Sequence, residues 1–365
     1  MEFLSEYGLF LAKTVTFVIA FAAIVVVIVS AGSKGQGAGK GLIEITKLNE
    51  KYDDILHLVK SAVIDEESLK VERKQEKKAE KEKKKALKAQ AKQKKQSASS
   101  ENTDVAEADS NTEAKPRVFV THFDGDIKAS ETQELREVIT AILSIAKPSD
   151  EVVVCLESPG GMVHGYGLAA SQLARITEKN IPLTVCVDKV AASGGYMMAC
   201  VANKIVAAPF AVIGSIGVVA QIPNFHRLLK KHDVDYEMLT AGEYKRTLTM
   251  FGENTEKGRQ KFVEDLEETH DLFKDFIRQH RSVVDVDKVA TGEIWFGTKA
   301  LEEKLIDAVQ TSDAYLFDKK DSADLFEINY VHKRTVMEKL GINAEASLER
   351  VIGKLWQKAT TRYTV

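Results

Sequence analysis

Hydrophobic and polar positions divide this chain into stretches of unlike pattern. From Thr14 to Ser33 no residue carries a charge, and the run is apolar almost throughout. Twenty helical residues at about 1.5 Å each reach about 30 Å, the thickness of a bilayer core, so this run predicts a transmembrane anchor. A cleaved signal peptide is the competing reading, with Val29-Ser30-Ala31 as its cleavage site. The length of the run and the acidic Glu2 and Glu6 ahead of it favour an uncleaved anchor. Leu42 to Val63 has the mixed spacing of a strand followed by a helix. Glu67 to Gln96 is built of Lys, Glu, Ala and Gln, which favour helix, and the pairs Glu80–Lys84 and Glu82–Lys85 add local support. Ser97 to Lys115 has too few large apolar side chains to bury and reads as a disordered linker.

At Arg117 the pattern changes to short apolar runs alternating with amphipathic ones. Val118 to Phe123 predicts a strand, and Thr132 to Ala146 puts Leu135, Ile139, Ile142, Leu143 and Ala146 on one helical stripe. Val152 to Leu156 is continuously apolar, as expected of a strand covered on both faces. A helix over Leu168 to Ile176 and strands over Leu183 to Val187 and Lys204 to Ala208 follow. Tyr236 to Leu239 predicts a further short strand, and a helix starts near Asn254. Phe326 to Val365 reads as a strand and then a helix with Leu348, Val351, Ile352 and Leu355 on one stripe. This alternation predicts an α/β fold with right-handed βαβ connections around a mostly parallel sheet. The expected organisation is an anchor segment over 1–33, a juxtamembrane region and Lys-rich helical spacer over 34–96, a linker over 97–115 and a folded domain with a C-terminal helix over 116–365.

The net charge of -3 conceals segregation: lysines dominate from Lys70 to Lys95 and acids from Glu101 to Glu113. The lysine run could meet anionic lipid or nucleic acid, but it lacks interleaved aromatics and fits a solvated spacer better, so no specific nucleic-acid binding is expected. Lys34, Lys40 and Lys47 after the anchor lean towards a cytoplasmic C-terminal side. Cys155, Cys186 and Cys200 have no metal-ligand spacing and are expected to be buried free thiols. The glycine-rich stretch from Gly35 to Gly41 lacks the Lys-Ser/Thr ending of a phosphate loop. Neither metal nor cofactor is therefore expected.

The chemistry concentrates where the run Leu183 to Val187 gives way to Asp188-Lys189-Val190-Ala191-Ala192-Ser193-Gly194-Gly195-Tyr196. A serine on a sharp strand-to-helix corner, followed by glycine, is how a nucleophile is displayed, and the helix N-terminal amides favour an oxyanion. The alternative is a tight turn with Ser193 as an ordinary N-cap. Ser158-Pro159-Gly160-Gly161 follows the preceding strand, and sites in open α/β sheets form at the carboxyl ends of strands. Its Gly161 amide could pair with that of Gly194 as an oxyanion hole. The serine needs a base. His164, beside the Gly160-Gly161 loop, is one candidate, and Lys245 in Gly242-Glu243-Tyr244-Lys245 is another. A lysine of ordinary pKa near 10.4 is neutral in under about one part in a thousand at pH 7, so a lysine base must be desolvated. Ser215, flanked by glycines in Gly214-Ser215-Ile216-Gly217-Val218, could orient it.

The ordered set SPGG at Ser158–Gly161, ASGGY at Ala192–Tyr196, GSIGV at Gly214–Val218 and GEYK at Gly242–Lys245 resembles the signal peptide peptidase A family of membrane serine proteases, over roughly Arg117 to Asp307. The resemblance implies a Clp protease/crotonase-like βαβ superhelix, preceded by the transmembrane helix and the charged spacer. It implies a Ser/Lys dyad of Ser193 as nucleophile and Lys245 as general base, with Ser215 orienting the lysine and Gly161 and Gly194 as the oxyanion hole. It further implies a homo-oligomer whose neighbouring subunits help build the sites, peptide substrates that are unstructured or membrane-derived, and a bacterial inner-membrane protein whose protease domain is periplasmic. Two departures stand out. A longer run, Arg246 to Asn254, follows Lys245, and Lys304 stands where a Gly before Leu-Ile/Val-Asp is usual. The rival readings are an inactive membrane scaffold of the same fold and a crotonase-type acyl-CoA hydratase or isomerase.

Overall fold

The computed structural model describes residues 10, 13, 16, 17, 41–65, 78 and 115–332. The chain divides into two compact units, one of Met1–Glu44 with Tyr330–Val365 and a larger one of Ile45–Asn329. Most of the expected anchor lies outside the described residues, though Thr16 and Phe17 are helical. No helix among the described residues is long and apolar enough to cross a membrane. The charged spacer apart from Lys78, the linker apart from Lys115, and the C-terminal helix beyond residue 332 are likewise outside them. In the smaller unit the Gly41 amide donates to the Tyr330 hydroxyl.

The main sheet has the order β1-β10-β2-β3-β4-β6-β9. Its strands are β1 (Leu42–Lys47), β2 (Arg117–Asp124), β3 (Glu151–Glu157), β4 (Leu183–Val187), β6 (Lys204–Ala207), β9 (Ala308–Val309) and β10 (Asp324–Val331). Every pair from β10 through β9 is parallel, with Val154 opposite Val185 and Val185 opposite Ile205. A smaller sheet holds β5 (Val190–Ala192), parallel to β7 (Val212–Gly214), which pairs antiparallel with β8 (Ile294–Phe296). Parallel pairing forces crossovers, and helices supply them. The helices among the described residues are α1 (Leu48–Val63), α2 (Thr132–Leu143), α3 (Val163–Thr177), α4 (Gly194–Ala199), α5 (His226–Lys231), α6 (Glu256–His280), α7 (Val286–Val289), α8 (Gly297–Glu302) and α9 (Ser312–Lys319).

Side chains alternate across a strand, and here both parities are buried. Val118, Val120, Val153, Cys186, Val206 and Leu325 form one core cluster with Leu48 and with Tyr315 and Leu316 of α9. The alternate positions Phe119, Phe123, Val152, Val154, Leu156 and Val185 are also buried, as are the stripe Leu135, Val138, Ile139 and Ile142 of α2 and Tyr166, Ala170 and Leu173 of α3. Burying a large aliphatic side chain contributes about 1.5–3 kcal/mol, which explains the continuous apolar strands. The three cysteines are free; Cys186 and Cys200 are buried and Cys155 nearly so. Burial pushes the Cys155 thiol up to about 12, so it is not a reactive thiolate.

Several elements differ from the sequence reading. α2 ends at Leu143, before Ala146, and α3 begins at Val163 rather than Leu168. Tyr236 to Leu239 forms no strand; its residues are exposed, with no partner strand among the described residues. The helix expected near Asn254 starts at Glu256, where the Thr255 hydroxyl accepts the Gly258 amide.

Polar ties close the ends of the sheet. Arg117 holds Asp150 by Nε to Oδ1 at 3.1 Å and Nη2 to Oδ2 at 2.5 Å, and the Lys147 amide adds a third bond at 2.8 Å. Buried Arg281 pairs with Asp307 at 3.0 Å and donates from Nε to the Lys304 carbonyl, clamping the end of α6. Lys304 itself occupies φ 59°, with its amide donating to Leu301 O and the Leu305 amide to Ala300 O. This is the Schellman ending of α8, whose left-handed position favours glycine, so the sequence departure at Lys304 is accommodated at a local conformational cost.

Two outcomes are expected. Burial raises the Asp150 carboxyl, but the Arg117 guanidinium and the Lys147 amide outweigh it and hold the group below its usual range. Asp150→Asn should therefore lower stability at neutral pH. In thermal melts the difference should be full above about pH 4 and close as pH falls through the depressed native value. Lys304→Gly should raise stability by up to about 1 kcal/mol, read as a higher melting temperature, because glycine adopts the left-handed conformation without a Cβ penalty.

Candidate active site

The Ser193 corner is built by the small sheet. β5 leaves the end of β4 and runs beside β7, placing Ala192 opposite Gly214. The Ser193 amide donates to Gly214 O at 2.7 Å, and the Met197 amide donates to Ser193 O to begin α4. Ser193 is held at φ 52°, ψ -117°, and its side chain makes no capping hydrogen bond. The ordinary N-cap reading is therefore corrected: the residue has the cap position but not the cap interaction. A positive φ costs a non-glycine residue of order 1–2 kcal/mol, and such strain persists where the surrounding structure over-determines it. The hydroxyl is left for other chemistry.

The second loop is fastened to the first through backbone. After β3, the Ser158 amide donates to Val190 O at 2.8 Å and its carbonyl accepts the Ala192 amide at 3.0 Å. Gly160 takes φ 86°, and a Cβ there would lie 2.7 Å from Ser193 Cβ and 2.8 Å from the Gly194 nitrogen. Only glycine lets the two loops approach this closely. Among the described residues no hydrogen bond engages the Gly161 or Gly194 amide. Gly194 is the first residue of a helix, where amides lack intrahelical partners.

Ser193, Gly161 and Gly194 line one cleft of about 90 Å³, walled by Val163, Met197, Val218 and Val219 and by Thr269 and Phe273 of α6. The structure thus brings the candidate nucleophile Ser193 and both oxyanion candidates to one cleft. Ser215 follows Gly214 directly at φ 51°, half-buried, its amide donating to Glu293 O at 2.6 Å. The apolar run around it is therefore not one strand: β7 stops at Gly214.

Lys245 is placed elsewhere. It is exposed and lines a separate apolar cleft of about 860 Å³ with Ile222, Tyr236, Met238, Leu239, Met250 and Phe251. Its backbone is fixed by a turn in which its amide donates to Gly242 O, with Gly242 at φ 101°. His164, the other candidate base, is exposed near the start of α3 and does not line the Ser193 cleft. No group of three or more His, Cys, Asp or Glu among the described residues could hold a metal ion.

Sequence reasoning missed the supporting residues. Ser158 and Tyr166 are fully buried, with Ser158 Oγ 2.6 Å from the Tyr166 hydroxyl. Burial raises the Tyr166 phenol, which stays protonated, while its bond to Ser158 acts in the opposite sense. The signal for Ser158 was present in the SPGG motif, but nothing local marked Tyr166, Thr269 or Phe273.

Gly194→Ala tests the close packing. Its Cβ would meet Tyr166 Cγ at 2.3 Å, so the variant should lose about 2 kcal/mol or more of stability and melt several degrees lower.

Comparison with known proteins matches the family model described as peptidase family S49 N-terminal to residues 2–173, and that described as peptidase family S49 to residues 175–325. A Haemophilus influenzae protein described as "Probable protease SohB" is 51% identical, covering 96% of each chain. A protein of the same description from Buchnera aphidicola subsp. Schlechtendalia chinensis is 47% identical, covering 87% of this chain and all of its own. The solved structure of a mutant of the 1510-N membrane-bound stomatin-specific protease, in complex with a substrate peptide, aligns with a TM-score of 0.38 at 16% identity. That alignment covers 62% of this chain and 96% of the other.

Proposed function

This chain belongs to peptidase family S49, and on that premise we propose that it is a membrane-anchored serine endopeptidase with Ser193 as nucleophile and Lys245 as general base. The observation that carries the reading is the strained, non-capping Ser193 in one cleft with the unengaged amides of Gly161 and Gly194. In the reaction, neutral Lys245 takes the Ser193 hydroxyl proton as Oγ attacks the scissile carbonyl. The Gly161 and Gly194 amides receive the oxyanion, each donor worth about 3 kcal/mol of transition-state stabilisation. Lys245 returns the proton to the leaving amine, which departs, and water deprotonated by the Lys245 amine then hydrolyses the acyl-enzyme. Ser215 sits beside the Gly214–Ser193 contact, from which its hydroxyl can orient the lysine.

The lysine reaches the serine through assembly. In one copy Lys245 borders the larger apolar cleft, whose rim leaves Leu239 92% exposed and Tyr236, Met238 and Phe251 substantially so. A neighbouring copy covering that surface would remove water from Lys245 and bring it to a Ser193 cleft, so the functional unit is a homo-oligomer with sites shared between subunits on a Clp protease/crotonase-like framework. The uncharged run 14–33 anchors the chain in the bacterial cytoplasmic membrane, with the protease domain on the periplasmic side and unstructured or membrane-derived peptides as substrates.

The test uses full-length protein in detergent, a fluorophosphonate probe and a peptide substrate. Ser193→Ala should abolish labelling, and Lys245→Ala should reduce turnover about 10²–10⁴-fold. Co-expression of the two variants in one assembly should restore part of the activity. Labelling that survives Ser193→Ala would overturn the nucleophile, and mixed assemblies as inactive as either variant alone would overturn the shared site.

A further inference from the structure

We propose that the buried Ser158–Tyr166 hydroxyl pair is the positioning element of the oxyanion site, a role that rests on the nucleophile and oxyanion reading above. Neither side chain lines the Ser193 cleft, and both are fully buried, yet between them they touch both segments that carry the oxyanion amides.

The hydrogen count sets the direction of the bonds. Tyr166 has one hydroxyl proton, and it donates to the Asp126 carbonyl at 2.7 Å, a group that can only accept. The Tyr166 oxygen must then accept from Ser158, 2.6 Å away. Ser158 Oγ in turn accepts the Gly160 amide at 3.0 Å. The result is a one-way chain from Gly160 N–H through two hydroxyls to Asp126 C=O, with every buried member satisfied. Its far end is fixed, because the Asp126 carboxylate receives the Lys128 and Ser130 amides and the Ser130 hydroxyl.

The near end governs the oxyanion loop. The Ser158 backbone is spent on Val190 and Ala192, and beyond Gly161 the Met162 amide is held by Ile127 O at 2.8 Å. Between these fixed points lie Pro159, Gly160 and Gly161. Gly160 at φ 86° can rotate at little cost, and its rotation would turn the Gly161 N–H away from the cleft. The Ser158 hydroxyl is the group that pins the Gly160 amide. Meanwhile the Tyr166 ring fills the place where a Gly194 side chain would stand, so the same tyrosine supports the second amide. Ser158 and Tyr166 are therefore positioning residues for transition-state binding and have no contact with substrate.

The experiment measures peptide turnover and the affinity of a peptidyl boronate, which forms a tetrahedral adduct on serine, using full-length protein in detergent. Tyr166→Phe and Ser158→Ala should each lower kcat by about tenfold or more while KM stays within about threefold, and should weaken boronate binding in parallel. The double variant should lose no more than the worse single one, since the two hydroxyls act as one chain. Thr184→Val, which removes another buried hydroxyl at the amino end of β4, should leave kcat within about twofold even if it melts as low. Loss of boronate labelling in Ser193→Ala together with wild-type turnover in Tyr166→Phe and Ser158→Ala would overturn this role alone. Adducts that persist in Ser193→Ala would overturn the nucleophile reading and this one with it.

Discussion

The parallel bridge between Ser158 and Ala191 is the constraint on which the site depends. Two backbone hydrogen bonds there tie the end of β3 to β5, and so join two loops that are 35 residues apart in sequence between Ser158 and Ser193. Once they are joined, the space between them admits no side chain at Gly160, and the amides of Gly161 and Gly194 fall on one cleft. The strain at Ser193 has the same origin. Its amide is held by Gly214 and its carbonyl by Met197, so the residue cannot relax to an ordinary φ without breaking one of them. A fold that spends backbone hydrogen bonds in this way fixes the Ser193 corner and the two glycine amides in advance, which is the geometry that electrostatic preorganisation requires.

The two clefts differ in what encloses them. The Ser193 cleft is small and bounded by well-packed elements, with Met197 and Phe273 buried in its walls. The Lys245 cleft is larger and apolar, and its rim is made of large exposed hydrophobics on a segment, residues 215–255, in which the short helix α5 is the one regular element among the described residues. Apolar side chains exposed in that density leave a surface that a covering partner would remove from water. A neutral lysine amine needs desolvation, and a covering neighbour would supply it. On the proposed assignment of Lys245 as base, the same contact would link assembly to catalysis.

Periodicity carried the framework because the strands are covered on both faces and the helices on one. Continuous runs such as Val152 to Leu156 and the stripe in Thr132 to Leu143 announced themselves, and the boundaries that slipped, at Ala146 and Leu168, lie at helix ends, where periodicity has few residues to act on. Tyr236 to Leu239 failed for another reason. Of its residues only Tyr236 favours a strand, and a strand exists only where a partner accepts its hydrogen bonds, which none does there among the described residues. Lys304 shows the opposite case, a residue with the wrong propensity held in a glycine conformation by the two hydrogen bonds of a helix ending.

Sequence by itself determined the α/β class, the serine on its corner, the glycine loops and the family, because these reside in residue types at short spacing. Tertiary structure decided what those residues do to one another. It showed that Ser193 is strained and does not cap its helix, that Gly161 and Gly194 share its cleft, and that Lys245 borders a different one. It also supplied Tyr166, an unremarked aromatic on α3 that meets Ser158 and Gly194 through space. The physical reason is range: propensity and pattern act over a few residues, whereas hydrogen bonding between loops and exclusion of a Cβ depend on which distant segments the sheet brings together.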